Sequence, residues 1–422
     1  MKFKVTKSDI KGIIEIPGSK SHTIRSLFFA SLANGVSKVK KPLISGDAIS
    51  ALNTCKIFGS KVTEEGDTYI IEGFGGNPSV PNDVINVGNS GTTLNIALST
   101  SSLIDGYTVF TGDHQIRNRP VGPLADALNN LGAVITCTKQ NGKPPVIIKG
   151  KAKGGITELD GVSSQFLTSL LINAPLFEKE TIVKMSRLYE VPYVDITLWW
   201  LDKLGIKYEN DNYKTFNILP NQSYKSFEQI IPADFSSATF FLVLAAISGG
   251  KIELKNLDMT DPQGDKFVVS ILQEMGAKVE IKENSIIIEG KNLEGTEVDM
   301  NSIPDALPAM AVAACFAEGE TKLINVAQAR LKETDRIKVM YQELSKMGAN
   351  IKEVEDGLII SKSNLKPAIV NGHHDHRVVM ALAIAGLNIN GETVIDTAEA
   401  ASVTFPDFSN LIISCGGKIE SL

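Results

Sequence analysis

The sequence predicts an α/β protein of two similar domains, each built from three repeated βαβαββ units. Three observations lead there. A short motif, an apolar residue and glycine followed mostly by a small residue, recurs at Gly59, Gly132, Gly205, Gly276, Gly348 and Gly416, in steps of 73, 73, 71, 72 and 68 residues. A period near 70 held six times over marks an internal repeat. Between these glycines runs a second series, six polar clusters that each open an apolar helix. Most of the glycines are followed by alternating apolar and polar residues bent at Asn, Gly or Asp, which is the hairpin signal. Six such units in 422 residues are too many for one core and suit two domains of three.

The elements follow in chain order within a unit. The glycine motif closes an amphipathic helix, as in "PVGPLADALNNLG", where Leu124, Leu128 and Leu131 share a face. Glycine just beyond a last helical turn supplies a left-handed cap. A hairpin then follows, as in "SKVTEEGDTYIIEG", "AKVEIKENSIIIEG" and "ANIKEVEDGLIIS". The other helix series, "HTIRSLFFASLANG", "GTTLNIALSTSS", "SQFLTSLLINA", "ATFFLVLAAIS", "LPAMAVAACFA" and "HRVVMALAIAG", is apolar on every side. Such helices belong in the core, and the amphipathic series belongs outside them.

Composition narrows the function classes. A net charge of −6 without any block of like charge argues against a nucleic-acid surface. Cys55, Cys137, Cys315 and Cys415 are scattered with no CxxC spacing, which reads as a reducing compartment without a disulfide frame. The start "MKFKVTKSDIKGIIEIPG" alternates like a strand and lacks a signal core. The longest apolar runs, such as 238–247, are too short to span a bilayer. The expected setting is cytoplasmic, with no membrane or nucleic-acid partner, and the chain is expected to act as a monomer. Of the 42 Lys and Arg, only Arg25, Arg117, Arg119, Arg187, Arg330, Arg336 and Arg377 are arginine. A chain this rich in lysine reserves arginine for geometry, because the planar guanidinium clamps carboxylate and phosphate with two bonds.

The polar helix starts carry Ser19-Lys20-Ser21, Asn89-Ser90-Gly91-Thr92, Ser163-Ser164-Gln165, Asp234 with Ser236-Ser237, Pro304-Asp305 and His373-His374-Asp375-His376-Arg377. Free N–H groups and the helix dipole make such starts anion sites. Ordinary N-capping by Ser and Asp is the plainer reading. Capping does not account for Lys20, Arg25 or Arg377, because a cation opposes the dipole there. If the units share one orientation, the starts converge on a cleft between the domains. The histidine cluster poses a choice among metal, catalysis and anion binding. Adjacent histidines chelate one ion poorly and no partner Cys/His cluster exists, so no metal is expected.

"PGSKSHTIRSL", "GNSGTTL", "NRPVGPLADAL", "SSQFLTSLL", "PYVDITL", "IPDALPAMAV", "LKETDRI" and "DHRVVMALAIAG", in this order over essentially the whole chain, resemble the 5-enolpyruvylshikimate-3-phosphate synthases. These are the 3-phosphoshikimate 1-carboxyvinyltransferases of chorismate and aromatic amino acid biosynthesis. The resemblance implies an inside-out α/β barrel in each domain and an active site in the interdomain cleft. It also implies chain crossings near residues 18 and 232, with a first domain over 19–231 and a second over 1–18 plus 232–422. The implied reaction joins phosphoenolpyruvate to the 5-hydroxyl of shikimate 3-phosphate through a tetrahedral intermediate that loses phosphate, with no cofactor. By the same resemblance Lys20 touches both substrates, and Ser21 and Arg25 hold the shikimate carboxylate. Ser163, Ser164 and Lys332 serve the 3-phosphate, Gln328 lies at that substrate, and Gln165 contacts both ligands. Gly91, Arg119, Arg336, His376 and Arg377 serve phosphoenolpyruvate. Asp305 takes the hydroxyl proton, and Glu333 is a proton donor to, or shuttle for, the methylene carbon. Attack by an alcohol needs a base and protonation at carbon needs an acid; a carboxylate between two anions becomes more basic. Glyphosate, a phosphoenolpyruvate mimic in that family, is expected to compete at Arg119 and Arg377.

Four positions depart from the pattern of well-known bacterial members. Glu190 stands for a phosphate-binding serine, Val403 for a lysine, Gln328 for an asparagine and Asn95 for an arginine. A carboxylate beside a phosphate repels it unless protonated or turned away, so compensation by Arg187 or Arg330 is expected. Arg330 is otherwise an ion-pair residue, and Arg117, His22, His373 and His374 are read as carrying no chemistry. Two rivals remain. One is the enolpyruvyl transferase acting on UDP-N-acetylglucosamine, whose loop cysteine has no counterpart in "TGDHQIRNR". The other is a non-catalytic binder of phosphate ligands.

Overall fold

Alternating residues along the short strands and apolar residues all round one helix series produce six four-stranded sheets laid against buried helices in the computed structural model, which describes residues 1–290 and 292–422. The chain divides into two compact units, residues 20–231 and residues 1–19 with 232–422. Each unit holds three of the sheets, and all six share one plan. In one of them Gly155–Gly161 runs parallel to Thr181–Leu188, which pairs antiparallel with Thr215–Ile218, which pairs antiparallel with Tyr208–Asp211.

The repeat explains two irregularities of connection. In most units the strand before a core helix lies parallel to the strand after it. Lys11–Glu15 and Glu228–Ile230 exchange places instead. Lys11–Glu15 precedes the helix Lys20–Leu32 yet pairs with Lys251–Lys255, and Glu228–Ile230 precedes Phe235–Ser248 yet pairs with Val36–Lys40. The sixth hairpin is cut open at its turn. Its two strands are the chain ends, Phe3–Thr6 and Lys418–Ser421, paired antiparallel, with Lys2 and Leu422 exchanging backbone bonds of 2.9 and 2.8 Å.

The apolar helices form the cores. Phe235–Ser248, Leu307–Phe316 and His376–Gly386 pack pairwise against one another, and every residue of His376–Gly386 is buried. In the other unit Gly91–Ser101 packs against both Lys20–Leu32 and Ser164–Asn173. The amphipathic series lies outside. Leu124 and Leu128 of Gly122–Asn130 are buried while Asp126 is exposed. Each of the six motif glycines sits just past such a helix with φ between 71° and 114°. That left-handed geometry is cheap for glycine alone, which is why the motif keeps it.

The scattered cysteines are all buried thiols, and burial pushes Cys55 and Cys315 up to about 12. Among the described residues no helix is long and apolar enough to cross a membrane.

Candidate active site

Four of the six polar starts are N-caps. Ser90, Ser163, Asp234 and Asp375 each accept a backbone N–H of their own helix. Capping therefore accounts for Asp234, and it places the neighbouring side chains of the other starts.

In the unit of residues 20–231, Lys20 opens the helix Lys20–Leu32, with its Nζ 3.3 Å from the buried Asp47 carboxylate. Asp47 offsets a cation that the helix dipole disfavours; its place at another helix start, in "SGDAIS", was the signal for it. One turn on, Arg25 is 2% exposed. Its Nε donates to Thr197 Oγ1 at 2.9 Å, Nη1 to the Ser21 carbonyl at 3.1 Å, and Nη2 to Thr168 Oγ1 at 3.2 Å and the Tyr193 carbonyl at 2.9 Å. All four acceptors are neutral. Burial consequently drives this guanidinium down to about 10. Beside it, His22 accepts the Trp200 indole N–H at 3.1 Å and is a packing residue.

Ser163 caps the helix Ser164–Asn173 by accepting from Gln165 N at 3.4 Å. The Gln165 side chain is set by Asn95, whose amide donates to Gln165 Oε1 at 2.8 Å and to the Gly91 carbonyl at 2.9 Å. Asn95, met as a departure, thus has a definite task. Gly91 leaves clearance for Arg119, since a Cβ there would meet Arg119 Nη1 at 2.5 Å. Glu190 is buried and turned inward. Its Oε2 accepts from Ser164 Oγ at 2.8 Å and from Ser164 N at 3.3 Å. Both arginines expected to compensate have carboxylate partners of their own. Arg187 is spread over Asp160, with Nε and Nη2 at 2.5 and 2.8 Å, and Arg330 is held by Asp335 at 2.9 Å and Glu353 at 2.7 Å. Arg117 is exposed and donates to the Gly112 carbonyl at 2.5 Å.

In the other unit the candidates form one ionic network. Arg336 begins the helix Arg336–Lys346 and is 1% exposed. Its Nε reaches Asp375 at 2.9 Å, Nη1 reaches Asp305 at 2.8 Å and Nη2 reaches Glu333 at 2.5 Å. Arg377 Nη2 takes the other Asp305 oxygen at 2.9 Å, and Lys332 Nζ stands 3.9 Å from the first. Burial opposes the charge of Arg336, but Asp375, Glu333 and Asp305 hold it charged well beyond the usual range. Burial also raises Asp375, and Arg336 outweighs it, so this carboxyl stays below its ordinary value. His376 is buried at the start of its helix, and Gln328 donates to the Asn301 carbonyl at 3.1 Å. Val403 ends the short helix Ala398–Val403.

Three residues here escaped the sequence reading. Asp375, seen only as part of a cluster, is the anchor of Arg336. Asp265 is buried, accepts from Ser236 Oγ, and is raised to about 6 by burial and by Asp305, against Arg377. Glu343, 1% exposed, accepts from His373 Nε2 at 2.8 Å and from Asn371 N at 2.9 Å. His373 therefore braces the loop that presents Arg377. Among the described residues no cluster of three His, Cys, Asp or Glu is arranged to hold a metal ion.

The comparisons agree with one another. The family model described as EPSP synthase (3-phosphoshikimate 1-carboxyvinyltransferase) matches residues 5–412. The 3-phosphoshikimate 1-carboxyvinyltransferase of Acetivibrio thermocellus is 63% identical over 421 residues, covering 100% of both chains. That of Methanocaldococcus jannaschii is 42% identical, over 99% of this chain and 98% of its own. The structure of EPSP synthase from Acinetobacter baumannii superposes with a TM-score of 0.83 at 29% identity, covering 100% of both chains. The chain belongs to the EPSP synthase family, the 3-phosphoshikimate 1-carboxyvinyltransferases.

Proposed function

We propose that the two clusters carry the transfer of the enolpyruvyl group of phosphoenolpyruvate to the 5-hydroxyl of shikimate 3-phosphate, in the unit of 20–231 through Arg25, Ser163 and Gln165 and in the other through Asp305. The observation that carries this reading is Asp305. Its two oxygens are each bonded to an arginine, Arg336 and Arg377, with Glu333 on the same Arg336. A base, an acid and two clamps for an anion therefore meet within one network.

Lys20, Ser21, Arg25, Ser163, Ser164, Gln165, Gln328 and Lys332 are assigned to shikimate 3-phosphate. Lys20, Gly91, Arg119, Gln165, Arg336, His376 and Arg377 are assigned to phosphoenolpyruvate. Arg25, buried among neutral acceptors, lacks the carboxylate that its charge calls for, and the shikimate carboxylate supplies one. When phosphoenolpyruvate draws on Arg377, Asp305 loses part of its counter-charge and becomes a better base. It takes the 5-hydroxyl proton as the oxygen attacks C2, while Glu333 gives a proton to C3. In the return step C3 gives a proton back to the Glu333 carboxylate, that C–H pair forms the new double bond to C2, and the C2–O bond to phosphate breaks with its electron pair leaving on phosphate. The chain is proposed to work as a monomer in the cytoplasm.

The test is phosphate release from phosphoenolpyruvate with shikimate 3-phosphate, beside the same reaction with UDP-N-acetylglucosamine. Release with the first alone is expected. Release with the second alone moves the chain to the other transferase. Silence in both, with shikimate 3-phosphate still bound by calorimetry, makes it a binder.

A further inference from the structure

Glu190 combines three features that an ordinary surface glutamate lacks. Its side chain is 1% exposed in the protein. Its backbone is left-handed, with φ 59° and ψ 41°, a conformation that costs a non-glycine residue roughly 1–2 kcal/mol and persists where the surroundings impose it. It also stands at the N-cap of Val191–Lys203 without capping that helix. Its carboxylate instead crosses to the start of Ser164–Asn173 and takes both the N–H and the hydroxyl of Ser164. A helix start offers partial positive charge and free donors to an anion, and here the protein's own carboxylate has taken them. The nearby Arg187 is committed to Asp160.

We propose that Glu190 is a resident anion at the phosphate end of the shikimate 3-phosphate site, holding the Ser164 donors in the unliganded protein and yielding them when the phosphate arrives. This rests on the assignment of Ser163 and Ser164 to that phosphate. Two anions cannot share the same two donors, because like charges at contact repel strongly in a buried setting. The phosphate must displace the carboxylate. Glu190 is then a specificity residue that weakens binding of the phosphorylated substrate and leaves its unphosphorylated counterpart untouched.

The test titrates shikimate 3-phosphate and shikimate into wild type, Glu190→Gln, Glu190→Ser, Ser163→Ala and Ser164→Ala, with thermal melts to confirm folding. Glu190→Gln keeps size and shape, so it decides the matter if Glu190→Ser does not fold. Removing the charge is expected to tighten shikimate 3-phosphate at least fivefold, with shikimate and the KM for phosphoenolpyruvate changed less than twofold. Unchanged or weaker binding in Glu190→Gln, with Ser164→Ala weakening it, overturns the proposal and leaves the site assignment standing. Unchanged binding in both serine variants overturns the assignment itself.

Discussion

Arg25 and Arg336 are both buried arginines early in a helix, one in each unit, and the protein neutralises them in opposite ways. Arg25 has hydroxyls and carbonyls around it and burial lowers its pKa; Arg336 has three carboxylates and is held charged. Burying an unpaired charge is expensive, and pairing it removes most of that cost. Arg25 is thus left with a deficit that an anionic ligand can fill. Arg336 is already paired without a ligand, and it holds Asp305, Glu333 and Asp375 at fixed distances beside the phosphoenolpyruvate assigned to it. The lesson is that an arginine's burial does not tell its role; the charge of its acceptors does.

The largest test removes one arginine from each unit. Arg336→Ala removes the guanidinium partner of the buried Asp375 and takes one partner from the part-buried Glu333 and Asp305, and it is expected to cost about 3–5 kcal/mol of stability. Arg25→Ala leaves neutral acceptors partly unsatisfied and is expected to cost about 1–3 kcal/mol, while shikimate 3-phosphate binding drops. Urea denaturation of both variants measures the difference, and equal losses would break the comparison.

A pH series on Asp265→Asn sharpens it next. The Asp265 carboxyl titrates near 6 in the folded chain against an ordinary 3.8. Below the ordinary value it is neutral in both states and costs nothing. Between the two values the folded chain binds the extra proton, so stability falls as pH rises, and above about 6 the full penalty is present. Asp265→Asn is therefore expected to gain on the order of 1–3 kcal/mol at pH 7 and nothing below pH 4. Asp375 has the opposite sign, because its depressed pKa gives stability that is lost as pH falls. The difference between variant and wild type isolates Asp265, and a gain that persists at pH 3.5 would contradict the assignment.

The smallest effect belongs to Gly91→Ala. Its new Cβ meets the far end of the flexible Arg119 side chain, which can shift aside, so the loss is expected in phosphoenolpyruvate binding, at about 1 kcal/mol. It should be read as a higher KM for phosphoenolpyruvate at unchanged stability; an unchanged KM would detach Gly91 and Arg119 from that substrate.

Period and pattern are local properties, so the sequence by itself determined the sixfold repeat, the two helix series and the left-handed glycines. It also marked Lys20, Arg25, Arg336 and Arg377 as unusual, because a cation at a helix start contradicts the dipole and a rare arginine stands out among lysines. It could not assign partners to those residues. Asp305 and Arg336 are 31 residues apart, and Arg25 and Thr197 are 172 apart; no spacing rule joins them. The exchange of Lys11–Glu15 with Glu228–Ile230 and the opening of the sixth hairpin at the chain ends also exist only as pairings. Glu190 shows the limit most plainly. Its identity warned of a repelled phosphate, but which donors its carboxylate takes depends on a left-handed backbone and a neighbouring helix start. Tertiary structure alone decided that, because a side chain's electrostatic meaning lies in the groups that the fold brings within hydrogen-bond distance.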